Sequence, residues 1–96
     1  MMMMKRVDNQ YIEFKGHAEN PIVCSMVTYA SVSLMKTITE FLEEPADYTI
    51  TEGYFRLSLK GLTVGTQSFI DAFWYNMGEL AKDYPNSFRI ERIFAK

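Results

Sequence analysis

The 96-residue chain predicts an α+β fold: a largely antiparallel sheet of about five short strands, with two amphipathic helices on one face, in the order ββαββαβ. Three observations predict it. Apolar residues recur at spacings of three and four over two stretches, one around Val23 to Ile38 and one around Phe69 to Leu80. Strict alternation, with Phe55, Leu57 and Leu59 between Tyr54, Arg56, Ser58 and Lys60, marks a strand with one buried face. Single Gly and Pro residues separate these segments, and helices lying on one side of a sheet are a stable way to bury both apolar patterns.

Residues 2–7, the polar turn Asp8-Asn9-Gln10 and residues 11–15 read as a first hairpin, in which Tyr11 and Glu13 share one face and Ile12 and Phe14 the other. Gly16-His17 follows at the strand's exit. Asn20-Pro21 starts a helix, because the Asn side chain can accept a first-turn N–H and Pro at the first position gives up a donor that has no partner there anyway. Its apolar stripe is Val23, Met26, Val27, Ala30, Leu34, Ile38, Phe41 and Leu42, and Glu43-Glu44-Pro45 ends it. Residues 48–51 and 54–60 flank Glu52-Gly53 as a second hairpin, closed by Gly61 and Gly65. Thr66 or Ser68 caps the second helix, with Asp71 three residues after Ser68, and Phe69, Phe73, Met77, Leu80 and Tyr84 form its inner face. Tyr84-Pro85-Asn86 stops it, and residues 87–94 supply a last strand through Phe88 and Ile90, where Ile93 breaks the alternation.

The totals set the function classes. One domain over residues 1–96 is the expectation at this length. Ten basic and twelve acidic side chains give a formal charge of −2, which provides no field to collect nucleic acid. Met1 to Met4 is cut short by Lys5, Arg6 and Asp8 before it resembles a signal core, so a cytoplasmic protein with no membrane partner is expected. The single cysteine forms no internal disulfide and directs attention to thiol chemistry or plain burial.

His17 and Cys24 are the only histidine and the only cysteine. Seven positions apart on one extended strand they would stand roughly 23 Å from each other, but a strand turning into a helix through residues 18–20 brings them together. A thiol in a helix's first turn feels the positive end of the helix dipole, which favours the nucleophilic thiolate. The structural alternative is a small core cysteine and an ordinary surface histidine.

Gly16-His17-Ala18, followed by Ile22-Val23-Cys24 opening a helix, resembles the Gly-His-Ala … Asp-Ile-Val-Cys signature of the ribosomal-processing cysteine protease family, and the outline of elements agrees over nearly the whole chain. The resemblance implies a homodimeric thiol protease that trims an N-terminal extension from a large-subunit ribosomal protein, or cuts a related protein such as one of phage origin, without a cofactor or metal. Cys24 would be the nucleophile and His17 the base, the Ile22 and Val23 amides candidate oxyanion donors, and Gly16, Ala18, Glu19, Asn20 and Pro21 the loop around them. Two differences stand out. Only residues 18–23 separate His17 from Cys24, where the family has a longer glycine-containing loop, and Pro21 stands where the family has an acidic residue. A catalytically inactive, homodimeric protein-binding relative is the alternative.

The remaining features read more simply. Glu40, Glu43 and Glu44 form a solvated helix end, and one histidine with one cysteine falls short of the four ligands of structural zinc. Phe73 and Trp74 point to different helix faces, one of them available to a partner. Ser25 and Thr28 either orient His17 or bond back to helix carbonyls.

Overall fold

The computed structural model describes residues 1–8 and 10–92. β1 (Met2–Asp8) and β2 (Tyr11–Lys15) form the first hairpin, α1 (Pro21–Lys36) passes into a π-helical turn over Thr37–Phe41, β3 (Ala46–Thr51) and β4 (Tyr54–Leu59) form the second hairpin, and α2 (Val64–Asp83) precedes β5 (Phe88–Arg92). The strands make one sheet in the order β3-β4-β2-β1-β5. All neighbours are antiparallel except β1 and β5, which run parallel. The architecture is the expected ββαββαβ.

Register explains the core. Met2 lies opposite Phe88, Met4 opposite Phe14, Phe14 opposite Phe55 and Ile12 opposite Leu57, so one apolar residue from each strand meets the next on a single face. The Phe14 and Phe55 rings stack with centroids 5.3 Å apart. Onto this face pack Val23, Val27, Leu34, Met35 and Ile38 from the first helical segment and Ile70, Phe73, Trp74 and Met77 from α2. Each fully buried side chain of this size contributes roughly 1.5–3 kcal/mol relative to exposure. At the β1–β5 end the Arg6 guanidinium covers the Trp74 ring at 4.9 Å, a cation–π contact that closes the core with an aliphatic stem.

Among the described residues, the opposite face carries no helix. At its centre Glu13 is buried and accepts hydrogen bonds from the Tyr11 and Tyr54 hydroxyls, both at 2.9 Å, with Lys5 Nζ 3.7 Å from its other oxygen. Burial pushes its carboxyl up, but the two hydroxyls and the charges of Lys15 and Lys5 together outweigh that and hold it below the ordinary range. Burial, then the hydrogen bond to Glu13 and its charge, push the Tyr11 phenol up to about 12.

Several element boundaries differ from the sequence reading. β1 extends to Asp8 with an irregularity between Arg6 and Asp8, β3 begins at Ala46, and β4 ends at Leu59. Asn9 of the first turn, and Ile93 and Phe94 of the last strand, lie outside the described residues. The regular part of α1 ends at Lys36, and the π turn, with the Leu42 N–H donating to the Thr37 carbonyl, adds a residue and rotates Phe41 out to 78% exposure. Met26 is also exposed, while Ser31 and Met35 are buried in the stripe. α2 starts ahead of Thr66: Thr63 is its cap, its hydroxyl accepting the Thr66 N–H at 3.2 Å, and Gly65 is helical instead of closing the hairpin. Its inner face is Ile70, Phe73, Trp74 and Met77, with Phe69 and Tyr84 exposed.

Pro21–Phe41 is long and apolar enough, by length and composition, to cross a membrane. Its inward residues are spent on the sheet.

Candidate active site

Two turns bring the site together. β2 stops at Lys15 because Gly16 adopts φ +92, a conformation that costs a residue with a Cβ about 1–2 kcal/mol. Added bulk there would sit 2.8 Å from the Met1 carbonyl oxygen, and the Gly16 N–H donates to the Gly53 carbonyl at 2.9 Å. The chain leaves the sheet at this point and presents His17, which is exposed. Asn20 then caps α1 with extended backbone: its side-chain oxygen accepts the Ile22 N–H at 2.9 Å and its carbonyl accepts the Cys24 N–H at 3.2 Å. Cys24 follows in the first turn, half-buried against the core.

His17 and Cys24 line one cavity of about 240 Å³, together with Gly16, Thr28, Glu52 and Gly53. Gly53, at φ +74 in the β3–β4 turn, lies directly against the imidazole: a Cβ on it would fall 2.8 Å from His17 Nε2. Among the described residues, no hydrogen bond joins the thiol to the ring. Unliganded thiol–imidazole pairs are commonly looser than in their substrate complexes. The cavity floor is apolar, built from Met2, Phe14 and Phe55, so a bound group exchanges water for a partly desolvated wall beside the thiol.

Of the other residues singled out by sequence, Gly16 and Thr28 line this cavity and the rest lie around it. Ile22 is 63% exposed with its N–H engaged by Asn20, and Val23 is fully buried under α1. Ala18 is buried in the core, while Glu19, Asn20 and Pro21 stay outside the cavity wall. Ser25 is exposed away from the cavity, whereas Thr28, one turn after Cys24, lines it. From sequence, Glu52 and Gly53 are legible as turn residues only. Their place across from His17 follows from the pairing of Lys15 with Tyr54, which brings the second hairpin's turn to the end of β2. Among the described residues, no group of three or more His, Cys, Asp and Glu side chains is placed to hold a metal ion.

The chain thus combines a five-stranded mixed sheet, both described helices on one face, and a cavity lined by a thiol from a helix start and an imidazole from a strand exit. The same fold occurs in the ribosomal processing protease Prp from S. aureus. Its structure with a substrate peptide superposes at a TM-score of 0.86, with 15% identity over 97% of this chain and 100% of that one. Its structure with a covalently linked product peptide gives 0.84, with 17% identity over 97% and 100%. The protein SMU.848 from Streptococcus mutans gives 0.81, with 20% identity over 98% of this chain and 93% of its own. No protein-family model matches the chain, and no curated protein matches it. The chain therefore has the fold of the Prp protease.

Proposed function

We propose that this chain is a cysteine endopeptidase of the ribosomal-processing type, with Cys24 as nucleophile and His17 as general base and acid. The observation that carries the reading is that the sole thiol and the sole imidazole line one cavity, at a strand-to-helix junction, in a fold shared with a protease seen with its substrate and product peptides. His17 takes the Cys24 proton as sulfur attacks the scissile carbonyl carbon. A C–S bond forms and the carbonyl electron pair moves onto oxygen. On collapse the C–N bond breaks, the amine leaves with the proton from His17, and a thioester remains. Water, deprotonated by His17, then attacks the thioester and releases the carboxylate and Cys24. The Val23 amide, the first-turn N–H that carries no hydrogen bond among the described residues, is the donor offered to the oxyanion. The substrate on this reading is the N-terminal extension of a large-subunit ribosomal protein or a related protein, and the enzyme is a homodimer. Exposed Tyr29, Phe41 and Phe69 on the helix layer support the dimer.

A second reading, a relative that binds peptide without cutting it, is favoured by the Ile22 N–H being engaged by Asn20 and by the short His17-to-Cys24 segment. Incubation with the extension peptide separates the two. The peptidase reading expects cleavage in the wild type, rapid iodoacetamide labelling at Cys24 that slows in His17→Ala, and a folded, inactive Cys24→Ala. Peptide binding without cleavage, unchanged in Cys24→Ser, assigns the second reading.

A further inference from the structure

Among the described residues, the sheet edge that runs into the candidate site is open. β3 ends the five-stranded sheet on that side. Its pairing with β4 closes at Thr51 opposite Tyr54 around a two-residue turn and continues to Ala46 opposite Leu59 in constant register. In such a hairpin the closing pair is hydrogen-bonded and bonded pairs then alternate, so Thr51, Thr49 and Asp47 bond to β4 while the backbone groups of Ile50, Tyr48 and Ala46 point outward. The Lys60 N–H donating to the Pro45 carbonyl at 3.4 Å follows the same alternation. Tyr48 and Ile50 also turn their side chains to the helix-bearing side, where they are 51% and 44% exposed. The opposite edge differs: β5 places Arg89, Glu91 and Arg92 along five residues, charges of the kind that discourage strand pairing. Ile50, Thr51 and Glu52, the last turn-ward residues on the open edge, are cavity residues shared with His17 and Cys24.

We propose that β3 is the docking strand for the substrate: an extended, apolar segment of a polypeptide adds to the sheet beside Tyr48 and Ile50, and the residues that follow it cross the cavity past Cys24. This deepens the peptide-binding reading above and rests on it. The edge offers backbone donors and acceptors at every second residue and two apolar side chains on one side, which is the chemistry that recognises an extended peptide by strand addition. A second copy of the chain offers the same backbone chemistry, but pairing with it would leave the adjoining cavity unused. The continuity of the edge with the cavity assigns it to a peptide.

The test uses Cys24→Ala, so that binding is read without turnover. Linear peptides are selected from a random library against this variant, and the best binder is resynthesised with one backbone amide N-methylated at a time. The expected result is a period of two, with methylation at alternate positions weakening binding about tenfold and the positions between changing little. Ile50→Pro in the same background removes one outward N–H without touching the bonds to β4, and it is expected to weaken binding by a similar factor while the protein stays folded by circular dichroism. Absence of any period of two, failure to select a linear peptide, or wild-type affinity in folded Ile50→Pro overturns the proposal. Self-association by sedimentation that Ile50→Pro abolishes, with peptide binding intact, assigns the edge to a second copy instead. If wild-type protein does not cut a peptide that binds with this period, the peptidase reading fails and the docking strand stands. If it cuts peptides whether or not they are methylated, the docking strand fails and the peptidase reading stands.

Discussion

Replacing Gly53 separates the backbone of the β3–β4 turn from the position of the imidazole it supports. At φ +74, Gly53→Ala costs about 1–2 kcal/mol for the left-handed conformation, partly offset by about 0.4–1 kcal/mol from the lower freedom of alanine in the unfolded chain. A net loss near 1 kcal/mol lowers the melting temperature by about 4–8 °C in a domain of this size. The new Cβ would lie 2.8 Å from His17 Nε2, so the ring must retreat by at least roughly 0.7 Å to reach an ordinary contact distance. His17 is exposed and moves without straining the core, so its displacement appears in the site's chemistry and not in stability. A shift near 1 Å costs on the order of 10²-fold in rate where geometry sets the reaction. Gly53→Asn is the discriminating partner, since asparagine tolerates the left-handed region yet still carries the Cβ. It is expected to melt close to wild type while losing as much peptide cleavage as Gly53→Ala. Because the chain has one histidine, the imidazole proton resonance in NMR reports the displacement directly. A Gly53→Asn protein with an unmoved resonance and wild-type cleavage would refute the reasoning.

Three further outcomes concern stability. Ser31 is fully buried in α1 and its hydroxyl has no partner among the described residues, so Ser31→Ala is expected to stabilise the fold by about 1 kcal/mol, read as a higher melting temperature. Glu43 sits at φ 56 just past the π turn, where the Glu44 N–H donates to the Ile38 carbonyl; Glu43→Gly relieves that conformation and removes a negative charge from a helix end, for a gain of about 0.5–1 kcal/mol in chemical denaturation. The Glu13 cluster contributes to both limbs of the stability–pH curve. Its carboxyl lies below its ordinary 4.5, so its contribution is present above that pH and is lost as pH falls through the folded value; Glu13→Gln flattens that acid limb. The Tyr11 phenol is raised from 10.0 to about 12, so its contribution is present below 10.0 and is lost as pH rises towards 12; Tyr11→Phe flattens that limb in melts followed across alkaline pH.

Local patterns make most of the fold legible. Val23, Val27, Leu34 and Ile38 keep helical spacing, and Phe55, Leu57 and Leu59 keep strand alternation, because each pattern is dictated by the face that must be buried. The misreadings occur where a local rule meets a competing one. Phe41 falls out of the stripe because the π turn inserts a residue, in a stretch where the Thr37 and Thr39 hydroxyls bond back to the Ser33 and Met35 carbonyls. Thr63 is hidden as a cap because Gly65, which reads as a breaker, sits inside the first helical turn. His17 and Cys24 stand out because each is the only residue of its kind, and the Asn20-Pro21 start fixes where the helix places the thiol. Gly53 cannot be found that way. Its contact with His17 depends on β2 pairing with β4 across a helix and a turn, and no residue near Gly53 encodes that register alone.

The parallel union of β1 with β5 carries a consequence for how the chain matures. Met2 lies opposite Phe88, so the strand made earliest waits for the one made after α2 before both its sides are satisfied. The two hairpins close from neighbouring residues, but this ladder must shut a loop nearly as long as the described chain, and such distant closures slow folding. A nascent chain halted after α2 thus holds Met2 and Met4 beside a vacant lane of the sheet, a sticky intermediate that chaperones or early aggregation would reveal before Phe88 arrives.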